Sequence, residues 1–346
     1  MKTKSNKLAR NHISISVLLI AVLCGFTIYA QNNGSYEVPR TVDGAPDLQG
    51  MWTNNTITNL TRAERFGNQL ILSEQEAYEL ELEVADYNAG RDLPSDPNRG
   101  APVKDRIETA DSYNNFWMDT GTNVIQFNGE YRSSIIVDPV DGQLPAYTAE
   151  GQARIEAALE RRRSRGAYDG PETRPLPERC LMSFGSSSGP PMLPILYNNH
   201  YQIVQSPGYV MILVEMVHDA RIIRIDDDPL PENMNRWMGD SVAHWEGDTL
   251  VVETSRINTL QSFRGSSENM KVTELFTRVA DEIINYTFTV EDADTFVQTM
   301  TGEMPLNLTD DKLYEYACHE GNYSLSGVLA GARLDESIEN EDSQGN

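Results

Sequence analysis

The chain has 346 residues, with 52 Asp or Glu against 28 Lys or Arg, for a formal net charge of −24. So acidic a protein repels phosphate backbones and anionic lipid, which argues against nucleic acid and membrane surfaces as partners. Hydrophobic residues make up 39% of the chain, enough for one large core, so the chain as a whole is not of disordered composition.

The first segment reads as a targeting signal. Lys2, Lys4, Lys7 and Arg10 precede an apolar run from Ile13 to Ala30, and Gln31 follows. A basic start, an apolar middle and a small residue at the end are the pattern of a secretory signal, so residues 1–30 are read as a signal peptide. The alternative is an uncleaved anchor, because the run nearly spans a bilayer. Lipidation at Cys24 is disfavoured by the bulky Leu23 before it. Residues 1–30 hold four cations and no anion, so the chain without them has 24 basic and 52 acidic residues, net −28. No later segment is apolar enough to cross a membrane. The mature chain is expected to be periplasmic or secreted.

Residues 31–195 read as an N-terminal extension with two helices and long loops. Ser73 and Glu76 have capping-box spacing and open a helix over about 74–88. Residues 89–112 are polar and read as a loop. Ile125–Phe127 and Ser133–Val137 read as short strands. Thr148 caps a second helix over about 149–165, whose last turn holds Arg161, Arg162 and Arg163 before Gly166. Cations there suit the helix dipole, a better account of the run than nucleic-acid binding. Residues 166–195 form a proline-rich loop.

Residues 196–334 have a different texture, that of an antiparallel meander. Strands are expected at His200–Gln205, Tyr209–Met216, Arg221–Ile225, Ser241–Trp245, Thr249–Thr254, Lys271–Val279, Ile283–Val290 and Thr295–Glu303, joined mostly by tight turns. About eight such strands commonly close into a barrel, which removes exposed sheet edges. Several strands are apolar on both faces, so the extension is expected to pack on the barrel. Residues 335–346 are acidic and apolar-poor and read as a disordered tail.

Cys180 and Cys318 are the cysteines left after cleavage. In an oxidising compartment they are expected to pair, with two buried free thiols as the alternative. Histidine titrates near neutral pH, so its neighbourhoods are weighed first. Glu215, His218 and Arg221 lie within seven residues, and a bulge would bring Glu215 and His218 to one face. His319 and Glu320 follow Cys318, so a bridge to Cys180 would hold them in place. His218, His319, Glu215 and Glu320 are therefore candidate catalytic residues. Arg221, Arg264, Glu268 and Trp245 are candidate substrate-binding residues. No zinc-site spacing and no phosphate or dinucleotide loop is present, so no metal or cofactor is expected. Gly185–Gly189 spells Gly-x-Ser-x-Gly, but Pro190 and Pro191 forbid the helix that a nucleophile elbow needs.

Gly50-Met51-Trp52, followed later by antiparallel strands, resembles the Gly-x-Trp start of lipocalin-like barrels. About 150 residues separate it from the meander, where a lipocalin continues almost directly. The stretch from Arg179 to Arg333 resembles a family of exported bacterial proteins of unknown function. Tyr197–Val210, Trp245–Thr254, Phe263–Asn269, Tyr314–Ser324 and Pro46–Trp52 carry that likeness. It implies a Gram-negative exported protein and brings no reaction with it. The fold expected is mainly β: a lipocalin-like barrel of about eight strands with the two-helix extension packed on it. The first functional expectation is an enzyme doing cofactor-independent hydrolysis or elimination on a small organic or saccharide substrate. The second is a carrier of an apolar or aromatic molecule, and the third a structural envelope-associated protein. Convergent His, Glu and Arg in the largest cavity would favour the enzyme, and an aromatic lining the carrier.

Overall fold

The computed structural model describes residues 36–91, 98, 118–164, 166–183, 189–196, 199–216, 219–261 and 263–344. The expected signal peptide, Trp117, His218 and most of the Gly-x-Ser-x-Gly run lie outside them.

Strand β1 (Gly50–Thr53) is followed by β2 (Ile71–Leu72), helix α1 (Glu74–Arg91), β3 (Gln126–Phe127), β4 (Glu130–Arg132), β5 (Ile136–Asp138) and α2 (Ala149–Ser164). Then come β6 (His200–Ser206), β7 (Tyr209–Val214), β8 (Ala220–Ile225), β9 (Asp240–Glu246), β10 (Thr249–Ser255), β11 (Lys271–Ala280), β12 (Ile283–Glu291), β13 (Met300–Leu308) and α3 (Tyr323–Gln344). Strands β6 to β13 pair in chain order, and β1 closes the ring between β13 and β6. The result is a closed barrel of nine strands, with β5 added alongside β13. Strands β2, β4 and β3 form a separate small sheet.

Three expectations about the barrel change. The barrel has nine strands rather than eight, because Gly50-Met51-Trp52, too short to read as a strand, supplies the closing one. It is mixed rather than an antiparallel meander, because β8 and β9 run parallel (Ile223 opposite Ser241). Residues 226–239 must therefore travel the length of the barrel, which a tight turn cannot do. The last strand starts at Met300 rather than Thr295, whose side chain instead caps a loop through Asp292.

Alternation decides what fills the barrel. Trp52 lies opposite Tyr201, Val252 opposite Glu274, Phe276 opposite Tyr286, and Tyr286 opposite Met304. All of these side chains are fully buried. Leu48, Ile125, Ile135, Ile136, Met192 and Leu193 from the extension belong to the same hydrophobic cluster, so the N-terminal part does pack on the barrel. At Gly302 an added Cβ would lie 2.3 Å from the Phe288 ring, so the backbone approaches that ring as only glycine allows.

Both helix starts follow their local chemistry. Ser73 N–H donates to Glu76 Oε2 at 2.7 Å and Glu76 N–H donates to Ser73 Oγ at 3.2 Å, the reciprocal capping box. Gly151 N–H donates to Thr148 Oγ1 at 2.9 Å. Residues 335–344, expected to be a disordered tail, continue α3. That helix is mostly exposed and is tied down near its middle, where Arg333 donates to the carbonyls of Tyr168 (2.8 Å) and Asp169 (3.1 Å). Among the described residues no helix is long and apolar enough to cross a membrane.

Candidate functional site

The two ends of the barrel differ. At one end Pro207-Gly208, Gly247-Asp248 and Asp281-Glu282 make tight turns between paired strands. At the other end the connections are long: residues 54–70, 166–199, 256–270 and 292–299 all leave or enter the barrel there. Loops on a rigid scaffold are where binding residues gather. The cavities described below are all lined by residues from that end.

His200 opens β6 at the long-loop end, with 13% of its side chain exposed. Its Nδ1 is 3.1 Å from Glu215 Oε2 and 3.7 Å from Asp119 Oδ2, while Nε2 is 3.4 Å from Asp311 Oδ2. The hairpin explains the first contact. Tyr201 pairs with Val214, so His200 and Glu215 face each other one step further out, and Glu215 N–H donates to the His200 carbonyl at 3.1 Å. Asp119 comes from the extension. Its carboxylate accepts from Asn55 Nδ2 at 2.6 Å, and its carbonyl accepts from the fully buried Asn199 at 2.5 Å. Asn199 also spans the Ile195 backbone, accepting from its N–H and donating to its carbonyl.

The electrostatics follow from the contacts. The hydrogen bond to Glu215 raises the proton affinity of His200, burial opposes this, and the nearby Asp119 and Asp311 add to the rise. Burial pushes the Asp119 carboxyl up, against the Asn55 hydrogen bond and the His200 charge. Within this cluster Asp119 Oδ2 and His200 Nε2 are both shut off from solvent and make ion-pair contacts without a hydrogen bond.

A cleft of about 960 Å³ lies beside this cluster. Its wall is largely apolar, with Leu60, Leu193, Ile195, Leu196, Leu260 and Phe263 among its residues. Arg91 and Arg264 also line it. A cavity of about 330 Å³ shares Asn88, Met118 and Thr120 with the cleft and includes Asp119. Asp119 thus faces this space on one side and His200 on the other.

The residues expected from sequence fall in several places. Glu215 turns to His200 rather than to His218, which lies outside the described residues. His319 is exposed at a third cavity, of about 410 Å³, which Cys180, Cys318 and Arg221 also line. Glu320 is exposed beside it in sequence. The Cys180–Cys318 disulfide is formed, with its Cα atoms 5.7 Å apart. Arg221 sits inside the barrel, with 1% of its side chain exposed, and grips Glu274 at 3.0 and 2.5 Å. Tyr286 Oη donates to Glu274 at 2.8 Å and accepts from Met192 N–H at 3.0 Å. Trp245 packs half-buried on the core, two residues from the Gly247-Asp248 turn and so at the opposite end of the barrel. Glu268 is exposed and lines none of these cavities, whereas Arg264 lines the largest. Sequence reasoning passed over His200 and Asp119. Among the described residues no group of three His, Cys, Asp or Glu is placed to hold a metal ion.

Comparison with protein-family models, curated proteins and solved structures returns no match.

Proposed function

We propose that the protein works outside the cytoplasm, binds a small organic molecule at the long-loop end, and moves a proton on it in a hydrolysis or elimination that needs no cofactor. The N-terminal basic and apolar pattern and the Cys180–Cys318 bridge support export. One observation carries the catalytic part. The Asp119 carboxylate is half-buried, with 30% of its side chain exposed; it lines a cavity, and its unbonded Oδ2 faces His200 across 3.7 Å.

A carboxylate pushed up by burial is a better base than an exposed one, because its proton affinity moves toward the working pH. Asp119 is the group in reach of a ligand, so it takes the proton from substrate carbon or from an attacking water. His200 stands behind it, held by Glu215, and its charge steadies the ionised carboxylate. Once Asp119 is protonated, it returns the proton to a leaving group.

The test is turnover on a panel of esters, lactones, glycosides and β-elimination substrates. On the substrate that reacts, Asp119→Asn lowers kcat by about 10²–10⁴-fold, the usual worth of a positioned acid or base, while ligand retention in native mass spectrometry is unchanged. His200→Gln lowers kcat less and shifts its pH profile.

A carrier is the second reading, favoured by the apolar wall of the larger cleft. It wins if a ligand is retained by the wild type and by Asp119→Asn alike while nothing on the panel turns over.

A further inference from the structure

We infer that the 960 Å³ cleft takes an organic anion, an apolar body bearing a carboxylate or sulfonate, and that Arg264 is its anchor. This deepens the reading above and rests on the cleft being a ligand site.

Composition makes the first argument. About one residue in seven of this chain is acidic, yet the described lining of the cleft holds no Asp or Glu and two arginines. A protein of net charge −24 repels anions over most of its surface, so an exposed cation away from acidic side chains is where one can be held. Among the described residues the Arg264 guanidinium is exposed and has no ion-pair or hydrogen-bond partner. Arg91, the other cation, lies over the Tyr87 ring at 5.7 Å.

Backbone geometry makes the second argument. Arg264 sits in the left-handed region, at φ 51° and ψ 31°, where a long side chain is disfavoured. Asn or Gly would fit more easily. The described residues of that loop are tied to their neighbours. Tyr147 Oη donates to the Arg264 carbonyl at 3.1 Å, and the Tyr147 ring stacks on the buried Phe296 at 5.4 Å. Ser266 donates twice to the Phe263 carbonyl, and an added Cβ at Gly265 would lie 2.9 Å from Ile155 of α2. A cation is therefore presented on a rigid support at the edge of an apolar wall. A guanidinium in that position matches a planar anion, and the leucines and Phe263 match an apolar body.

Two fluorescent probes separate charge from apolar fit: 1-anilinonaphthalene-8-sulfonate, an anion, and N-phenyl-1-naphthylamine, its neutral relative. Arg264→Asn removes the charge and suits the left-handed backbone, so the variant keeps its fold. It should weaken the sulfonate about tenfold or more and leave the amine unchanged. Arg264→Lys should recover part of the loss. Leu260→Glu, on the exposed rim, should weaken the sulfonate strongly and the amine slightly. If the amine binds and Leu260→Glu weakens it, but Arg264→Asn leaves the sulfonate unchanged, the anion inference falls and the cleft survives. If Leu260→Glu affects neither probe, the probes do not bind in the cleft and the anion inference falls, while the Asp119 reading is decided by its own turnover test.

Discussion

Arg221 and Glu274 show how a charge is accommodated inside a filled barrel. Each lies on the inward face of its strand, with 1% and 0% exposure, and Ser241, Thr254 and Tyr286 add hydrogen bonds to the pair. Removing one partner strands the other, so Glu274→Leu or Arg221→Met alone should cost about 3–5 kcal/mol. The double substitution should cost much less than the sum, and chemical denaturation of the four proteins gives the coupling directly. His200 lends itself to a pH experiment. It binds its proton more tightly folded than unfolded, chiefly through Glu215, with Asp119 and Asp311 acting in the same direction. That linkage stabilises the fold below the ordinary imidazole value of about 6.5 and fades as pH rises through the raised folded value. His200→Asn should therefore lower Tm most near about pH 5.5 and least near about pH 9; a loss independent of pH would assign His200 a packing role only. Part of this chemistry was legible in the sequence. His200 and Glu215 are equidistant from the Pro207-Gly208 turn, so a two-residue hairpin places them opposite each other. Reading Glu215 with its sequence neighbour His218 overlooked that symmetry. Glu274 between Val272 and Phe276 likewise announced a buried acid in need of a cation. Asp119 and Asp311 carried no such signal, because each reaches His200 from a remote segment.

At the level of elements, the caps and turns read from sequence are present wherever local chemistry decides the structure. Ser73 and Thr148 cap helices, and tight turns join the hairpins. What escaped was set by distant pairing: the closing strand β1, the parallel β8–β9 step, and the register of β13. One local signal was available and unused. Asn128-Gly129, both left-handed at φ 51° and 82°, joins β3 to β4 as a two-residue hairpin. Local and non-local elements should respond differently to substitution. Helix α1 buries only Ala77, so its cap matters locally. Ser73→Ala should speed amide exchange over residues 74–80, by a local loss of about 1 kcal/mol, and barely move Tm. Gly302→Ala pushes a methyl against Phe288 within a full barrel, where the backbone of two neighbouring strands must shift. It should lower global stability by about 1–3 kcal/mol, read as a shift of the whole denaturation curve.

At the scale of the molecule, the disulfide decides more than the placement of one histidine. Cys180 precedes β6 and Cys318 follows β13, so all of β6–β13, eight of the nine barrel strands, lies within the 138-residue loop that the bridge closes. In the unfolded chain that loop holds the residues of all eight strands, and the cross-link removes much of its freedom before any strand forms. On the loop-entropy model such a closure contributes about 5 kcal/mol, with native-state effects able to reduce it. The folded barrel holds together through its own strand pairing, with β1 and β13 closing the ring without help from the bridge. Cys180→Ser with Cys318→Ser should therefore still fold, with a midpoint lowered by several kcal/mol. The double variant should match the wild type under reductant. The native contacts that do depend on the bridge lie outside the barrel. Asn322 donates to the Glu178 carbonyl at 2.8 Å next to the bridge, and Arg333 of α3 binds the 168–169 carbonyls. Amide exchange in α3 should rise sharply in the double variant while exchange in β11 and β12 follows only the global loss. Asp311 lies on the same arm, between β13 and Cys318, and it faces His200 Nε2. Freeing the arm should loosen that contact and lower the His200 proton affinity toward the free imidazole value, which an NMR titration of the imidazole in both proteins measures. An unchanged titration would mean that Thr309, whose N–H donates to the Met51 carbonyl at 3.0 Å, anchors Asp311 without the bridge.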